Sequence, residues 1–301
     1  MIILSGGTGT PKLLSGLKKV YPEENIKVIV NTAEDIWVSG NLVCPDVDSV
    51  LYTLSGLIDE NKWWGIRDDT FITHEALKSL NLGEPMMLGD RDRSTHIARS
   101  ELLKAGMTLT EATGIISSEL GIRARVLPMS EDHMETIIHT PDKKMHFQEF
   151  WVEKKGEPDV LGVEFEGFEI PEPSESVICA LESEDTVLIG PSNPITSIGP
   201  ILSLNGIVDI LKDKFVIAIS PIIGKQAVSG PAAKLMAACG YEVSSFGVFD
   251  YYRKFLDLFI VDVRDDCPMG DISVDVLGTD TIMSNLEKSK ELAGVVVGLM
   301  R

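Results

Sequence analysis

Seven residues near the amino terminus, Gly6-Gly7-Thr8-Gly9-Thr10-Pro11-Lys12, narrow the folds open to this chain more than any other feature. They follow a short apolar run, Ile2-Ile3-Leu4, and precede Leu13, Leu14, Leu17 and Val20, which recur at helical spacing. The pattern predicts a strand, a glycine loop and a helix. A second β-rich run, Ile26 to Val30, ends in Asn31-Thr32-Ala33-Glu34-Asp35, at a distance that suits a right-handed βαβ crossover. The chain therefore opens like half of a Rossmann-type sheet.

From about residue 50 to 120 the sequence reads as mainly helical, and Thr108-Leu109-Thr110-Glu111 is a capping box ahead of an amphipathic stretch. Short strand candidates follow at Arg125–Leu127, Thr136–Thr140, Lys144–Val152 and Val160–Val163, which together predict a small β-rich insertion. Runs apolar on both faces return at Thr186–Gly190, Phe215–Ile219 and Leu258–Asp262, as buried parallel strands require. Ser284-Asn285-Leu286-Glu287 caps a last helix. The expected architecture is α/β: a Rossmann-like parallel sheet core with helices on both faces, formed by 1–127 and 176–301, plus an insertion at 128–175. The Glu- and Pro-rich stretch Phe168 to Glu175 reads as a surface loop, with a hinge as the alternative.

The 46 acidic residues outnumber 27 basic ones, for a net charge of −19, which argues against a general binder of nucleic acid or acidic membrane. Apolar residues make up 44% of the chain, enough for a sizeable core. No stretch approaches the roughly 18 apolar residues of a membrane span, and the first residues lack a basic signal-peptide region, so a cytoplasmic protein is expected. Cys44, Cys179, Cys239 and Cys267 stand singly and read as buried free thiols. The histidines lack metal-ligand spacing.

Four constellations carry candidate chemistry. Glycines at the start of a helix let backbone N–H groups approach a phosphate, so Gly7, Thr8, Gly9, Thr10 and Lys12 form an anion cradle or else a plain βα turn. Their G-x-G-x-x-K spacing matches neither a Walker A loop nor the dinucleotide fingerprint. Pro45-Asp46-Val47-Asp48-Ser49 places two carboxylates two residues apart; in an extended segment both would face one Mg²⁺ or a substrate hydroxyl, and in a helix they would serve as its cap. Leu88-Gly89-Asp90-Arg91-Asp92-Arg93, continuing to Arg99, concentrates guanidinium in an acidic chain and is weighed as an anion site above a solvated helix start. Gly190-Pro191-Ser192-Asn193-Pro194 follows a buried strand, where open α/β sheets place ligands, and Ser220-Pro221 repeats the arrangement after the next. With Asn31 and Asp35, these polar groups converge on one sheet edge.

The motifs GGTGTPK, PDVDS, LGDRD, FQE at Phe147 to Glu149, and GPSNPITSIGPI from Gly190 to Ile201, taken in this order, closely resemble the 2-phospho-L-lactate transferase family of deazaflavin coenzyme F-420 biosynthesis, nearly end to end. The resemblance implies transfer of a 2-phospholactyl group from lactyl-2-diphospho-5′-guanosine to the terminal ribityl hydroxyl of 7,8-didemethyl-8-hydroxy-5-deazariboflavin, with GMP leaving. It implies Mg²⁺ on Asp46 and Asp48, with Asp90 or Asp92 as alternative ligands. Asp48 would orient or deprotonate the hydroxyl, and Arg91 would offset developing phosphate charge. Gly7, Thr8, Gly9, Thr10 and Lys12 would hold the diphosphate, and Ser192 and Asn193 the nucleotide or lactyl carboxylate. Asn31, Asp35, Asp48 and Asp90 would contact the deazaflavin. Whether the donor carries lactate, enolpyruvate or a relative stays open. A homodimer is expected from general frequencies. The rival classes are a non-catalytic nucleotide-sugar-binding regulator of the same superfamily, whose loop is followed by Leu-Ser, and a nicotinamide dehydrogenase, which needs a glycine where Lys12 stands.

Overall fold

The computed structural model describes residues 1–167, 171–266 and 272–300. The chain runs β1 (Ile2–Ser5), α1 (Gly9–Val20), β2 (Lys27–Val30), β3 (Ile36–Val38), β4 (Asn41–Val43), α2 (Pro45–Ser55), α3 (Ile72–Ser79), α4 (Asp92–Lys104) and α5 (Leu109–Glu119). It continues through β5 (Arg125–Pro128), β6 (Met134–His139), β7 (Lys144–His146), β8 (Gly162–Gly167), α6 (Glu175–Glu182) and β9 (Thr186–Ile189). Next come α7 (Gly199–Ser203), α8 (Ile207–Lys212), β10 (Phe215–Ile219), the short pair β11 (Ile222–Ile223) and β12 (Gln226–Ala227), α9 (Ala232–Ala238) and α10 (Ser245–Tyr252). The chain ends in β13 (Leu258–Asp262), β14 (Asp275–Thr279) and α11 (Leu286–Leu299).

Seven strands form one sheet in the order β5-β2-β1-β9-β10-β13-β14, and every pairing in it is parallel. Successive strand side chains point to opposite faces, and the apolar residues divide accordingly. Ile2, Leu4, Val187, Ile189, Phe259 and Val261 join the apolar cluster that α6 to α10 cover. Ile3, Val28, Leu188, Ile217 and Ile260 join the cluster formed with α1, α2 and α11. Both faces are thus buried, which is why these strands read as unbroken apolar runs. Helices α1 and α11 pack closely at Gly16, where an added Cβ would lie 2.3 Å from the Ser289 carbonyl carbon. The strand order reverses between β1 and β9, the point where such sheets open a crevice for ligands. No helix among the described residues is long and apolar enough to cross a membrane.

The strand, glycine loop and helix stand where the amino-terminal pattern puts them, as do the capping box at Thr108 and the Asn285 cap of α11. Three local expectations need correction. Residues 45–55 form α2, with Pro45 at its first position, where its fixed φ and missing N–H favour a helix start. Asp46 and Asp48 therefore sit on a helix about 200° apart around its axis and face different partners. The run 144–152 is a strand only to His146; a π-helical turn at Glu149–Glu153 follows, because Phe147 and Phe150 both turn into the core. Among the described cysteines only Cys44 is buried, while Cys179 is exposed and Cys239 half-buried; Cys267 lies outside the described residues, as do 168–170 of the Glu- and Pro-rich stretch. Strands β6, β7 and β8 form a separate antiparallel sheet, and its Ile138 and Met145, with Phe150 beyond, share the main core.

Candidate active site

A cleft of about 590 Å³ opens at the carboxyl ends of β1 and β9. The glycine loop, the 191–193 loop, the first turns of α2 and α4, and an aromatic wall of Trp63, Trp64, Phe147 and Trp151 line it. Gly9 is a glycine because the chain after β9 passes directly over it: a Cβ there would lie 1.9 Å from the Pro191 carbonyl oxygen. Ser192 then ties the two loops together. Its hydroxyl donates to the Gly6 carbonyl and meets the Thr10 hydroxyl at 2.7 Å. Gly9→Ala is expected to force these loops apart, costing about 1–3 kcal/mol as overpacking does. Thermal melts test this, and a wild-type melting temperature in the variant would contradict it.

Two carboxylate centres arise from α2. Asp46 faces the glycine loop: its Oδ1 accepts the Gly7 N–H at 2.7 Å and its Oδ2 the Asn31 side-chain amide at 2.9 Å. Burial outweighs those two hydrogen bonds and pushes its pKa up to about 6. Asp48 faces α4 instead. Both its oxygens accept from the fully buried Arg99 guanidinium, and His96 Nε2 lies 3.2 Å from Oδ2. Burial alone would raise Asp48, but the Arg99 charge and His96 overcome it and hold the acid at about 2. His96 also lies 3.3 Å from Asp92 Oδ1, which accepts from the Tyr52 hydroxyl at 2.7 Å. Burial opposes charging of His96, yet its hydrogen bonds to Asp48 and Asp92 raise it to about 9, so it is protonated at neutral pH.

Asp48, Asp92 and His96 offer ligand atoms within 4.8 Å of one another, a grouping that could hold a metal ion. The two carboxylates suit a hard divalent cation such as Mg²⁺, which prefers oxygen ligands. The imidazole suits it less, and while protonated it has no lone pair to give. The donor set therefore fits Mg²⁺ through Asp48 and Asp92, in competition with the His96 proton that bridges the same two carboxylates.

Of the residues expected at the site, Gly7, Thr8, Gly9, Lys12, Asp46, Asp48, Asp92, Ser192 and Asn193 line the cleft. Lys12 is half-buried with its ammonium 5.5 Å from the Trp63 ring, and burial lowers its pKa. The Asn193 side chain is spent on its own turn, accepting from Ile195 N–H and donating to Thr196. Thr10, Asn31 and Asp35 are buried behind the cleft. Asp90 caps α3, accepting the Ile72 and Thr73 N–H groups at 2.9 Å. Arg91 lies outside the cleft and donates to the Arg67 carbonyl, while Arg93 pairs with Glu84. The arginine concentration read as an anion site is thus largely neutralised within the fold at Arg93 and Arg99.

Residues not singled out include His96, Tyr52, Glu34 and the aromatic wall. A signal existed for part of this: Asp92, His96 and Arg99 recur at helical spacing and so share one face of α4. The histidine that showed no metal-ligand spacing gains its carboxylate neighbour Asp48 from another helix.

A parallel sheet of this order, with a glycine loop and a second loop meeting across the switch point, defines a Rossmann-like α/β protein with a crevice at that point. The particular family follows from sequence. A family model described as 2-phospho-L-lactate transferase CofD matches residues 1–274. The 2-phospho-L-lactate transferase of Methanosarcina barkeri is 56% identical over 304 residues, covering 99% of this chain and 98% of its own. That of Methanocaldococcus jannaschii is 48% identical over 299 residues, covering 98% of this chain and 96% of its own. A crystal structure of a upf0052 family member from Bacillus halodurans superposes with a TM-score of 0.69 at 17% identity, over 98% of this chain and 97% of that one, a likeness of fold. The chain belongs to the 2-phospho-L-lactate transferase family and is a transferase.

Proposed function

We propose that this chain transfers the 2-phospholactyl group of lactyl-2-diphospho-5′-guanosine to the ribityl hydroxyl of 7,8-didemethyl-8-hydroxy-5-deazariboflavin in coenzyme F-420 biosynthesis. The observation that carries this reading is the composition of the cleft: a glycine loop with two carboxylates nearby, and four large aromatic side chains on the same lining, Trp63 lying beside Lys12. The first suits a diphosphate, the second a flat tricyclic ring.

The hydroxyl oxygen attacks the phosphorus that bears the lactyl group, forming the new P–O bond. The bond from that phosphorus to the GMP oxygen breaks, and the hydroxyl proton passes to Asp46. Asp46 is the better base of the pair, because its pKa near 6 leaves it ionised yet basic at neutral pH, whereas Arg99 and His96 hold Asp48 as a weakly basic anion. Each Asp46 oxygen keeps a second lone pair beyond the Gly7 and Asn31 hydrogen bonds. The amides of Thr8 and Gly9 hold the diphosphate, the Gly7 N–H being given to Asp46. Lys12 supplies the cation that Arg91, outside the cleft, does not. Asp48 and Asp92 would hold Mg²⁺, which supplies charge neutralisation for phosphoryl transfer.

Incubation with the lactyl donor and the deazaflavin should yield GMP and the coupled phosphodiester in equal amounts, and only when Mg²⁺ is present. GDP with Mg²⁺ should raise the melting temperature, with Asp92→Asn needing more Mg²⁺ for the same shift. Stabilisation by UDP-sugars or NADH in place of GDP, with no turnover, would favour the regulator or dehydrogenase classes instead.

A further inference from the structure

We infer that Glu34 is a specificity-determining residue that hydrogen-bonds a hydroxyl of the acceptor's polyol chain where that chain runs from Phe147 and Trp151 towards Asp46. The inference rests on the transfer reaction proposed above. Glu34 follows β2 at the crevice end of the sheet, lines the cleft, and is only 5% exposed. Its backbone carbonyl accepts the Gln148 side-chain amide at 3.3 Å, which fixes it to the segment carrying Phe147 and Trp151. On its other side its carboxyl meets Thr196, in the turn that also receives the Asn31 amide beside Asp46. Glu34 thus stands between the segment carrying Phe147 and Trp151 and the Asp46 side of the cleft.

One carboxyl oxygen, Oε1, is buried with no hydrogen-bond partner. Buried polar atoms are almost always paired, so an orphan in a ligand cleft points to a partner that arrives with the ligand. Burial, with the Asp46 charge adding to it, also pushes the Glu34 acid well above the usual range. A carboxyl oxygen accepts from an alcohol O–H, and a carboxyl group that holds its proton can also donate to one. A flat ring stacked at Phe147 and Trp151, with its terminal hydroxyl at Asp46, would carry its intervening hydroxyls past this position.

The test pairs Glu34→Leu, Glu34→Ala and Glu34→Gln with deazaflavin acceptors lacking single side-chain hydroxyls. For Leu and Ala we expect kcat/KM for the acceptor to fall about 10–100-fold, with donor KM and the GDP-induced melting shift unchanged. Gln, which also donates and accepts, should restore most of the loss. One deoxy acceptor should lose a similar factor with wild-type enzyme and nothing further with the Leu or Ala variant. Losses that multiply for every deoxy acceptor, or a rise in donor KM instead, would overturn the inference. Should Leu not fold, the Ala series decides on the same criterion. If wild-type enzyme turns over none of these pairs, the proposed reaction itself fails, a result distinct from normal turnover without Glu34-dependent discrimination.

Discussion

Asp46→Asn is expected to lower kcat about 10²–10⁴-fold, the range general base catalysis supplies, while the protein stays folded. The stability half of this expectation follows from opposing terms. The introduced carboxamide can keep only one of the two hydrogen bonds that Asp46 accepts, since its nitrogen would face either the Gly7 N–H or the Asn31 amide. Asn31 cannot flip freely to compensate, because its oxygen accepts the Ala33 N–H at 3.0 Å. That loss costs about 1 kcal/mol. Against it, the substitution removes a buried charge. Asp46 has a folded pKa near 6 against an ordinary value of 3.8, so the stability it contributes is full below 3.8 and is lost as pH rises through 6, roughly 3 kcal/mol in all. The variant should therefore melt within a few degrees of wild type at pH 7. A large loss of kcat together with a normal melting profile assigns Asp46 to chemistry, and near-wild-type turnover would remove it.

The same pKa sets the pH dependence of the wild-type enzyme. A base must be deprotonated, so kcat/KM should rise with pH through about 6 and then level off. If Asp48 were the base, its acid near 2 would leave the profile flat across this range.

The choice between these two aspartates shows where the sequence is transparent and where it is not. Strand runs, the glycine loop and the loop after β9 are local patterns, and they are enough to place the crevice because parallel strands all end at one edge. The partners of each carboxylate are not local. Asp46 and Asp48 are two apart in PDVDS, yet about half a turn of helix sends them to Gly7 and to Arg99 respectively. Only the packing of α4 against α2 decides that Arg99 is a buried counter-ion and not a ligand for phosphate. The aromatic wall is hidden for a similar reason. Trp63 and Trp64 lie between α2 and α3, and Trp151 stands in a π-helical turn that interrupts a β-like run, so nothing in their spacing marks a common surface.

Arg99→Met is expected to be the most damaging single substitution at the site, removing about 3–5 kcal/mol of stability as loss of one partner from a buried ion pair does. Methionine fills most of the volume but leaves Asp48 buried with His96 alone, beside a second carboxylate at Asp92. It also frees the Leu42 carbonyl, which accepts from Arg99 at 3.1 Å. Asp48 has a depressed pKa, so the stability it contributes is present above 3.8 and is lost as pH falls through about 2. The difference between wild type and variant should therefore be full at pH 5 and shrink in acid. His96 adds the opposite dependence: with its pKa raised from 6.5 to about 9, its contribution is complete below 6.5 and disappears as pH rises through 9. Asp48→Asn by itself confounds chemistry with folding, because it strands the Arg99 charge. The double variant Asp48→Asn with Arg99→Met removes both charges at once. Its stability should recover well beyond the sum of the two single losses, while turnover should not return, because a cation ligand is gone. Chemical denaturation of the four proteins in the cycle, read beside their kcat, separates the two roles. Additive stability losses would mean that Arg99 and Asp48 are not coupled, and restored turnover in the double variant would remove Asp48 from the reaction.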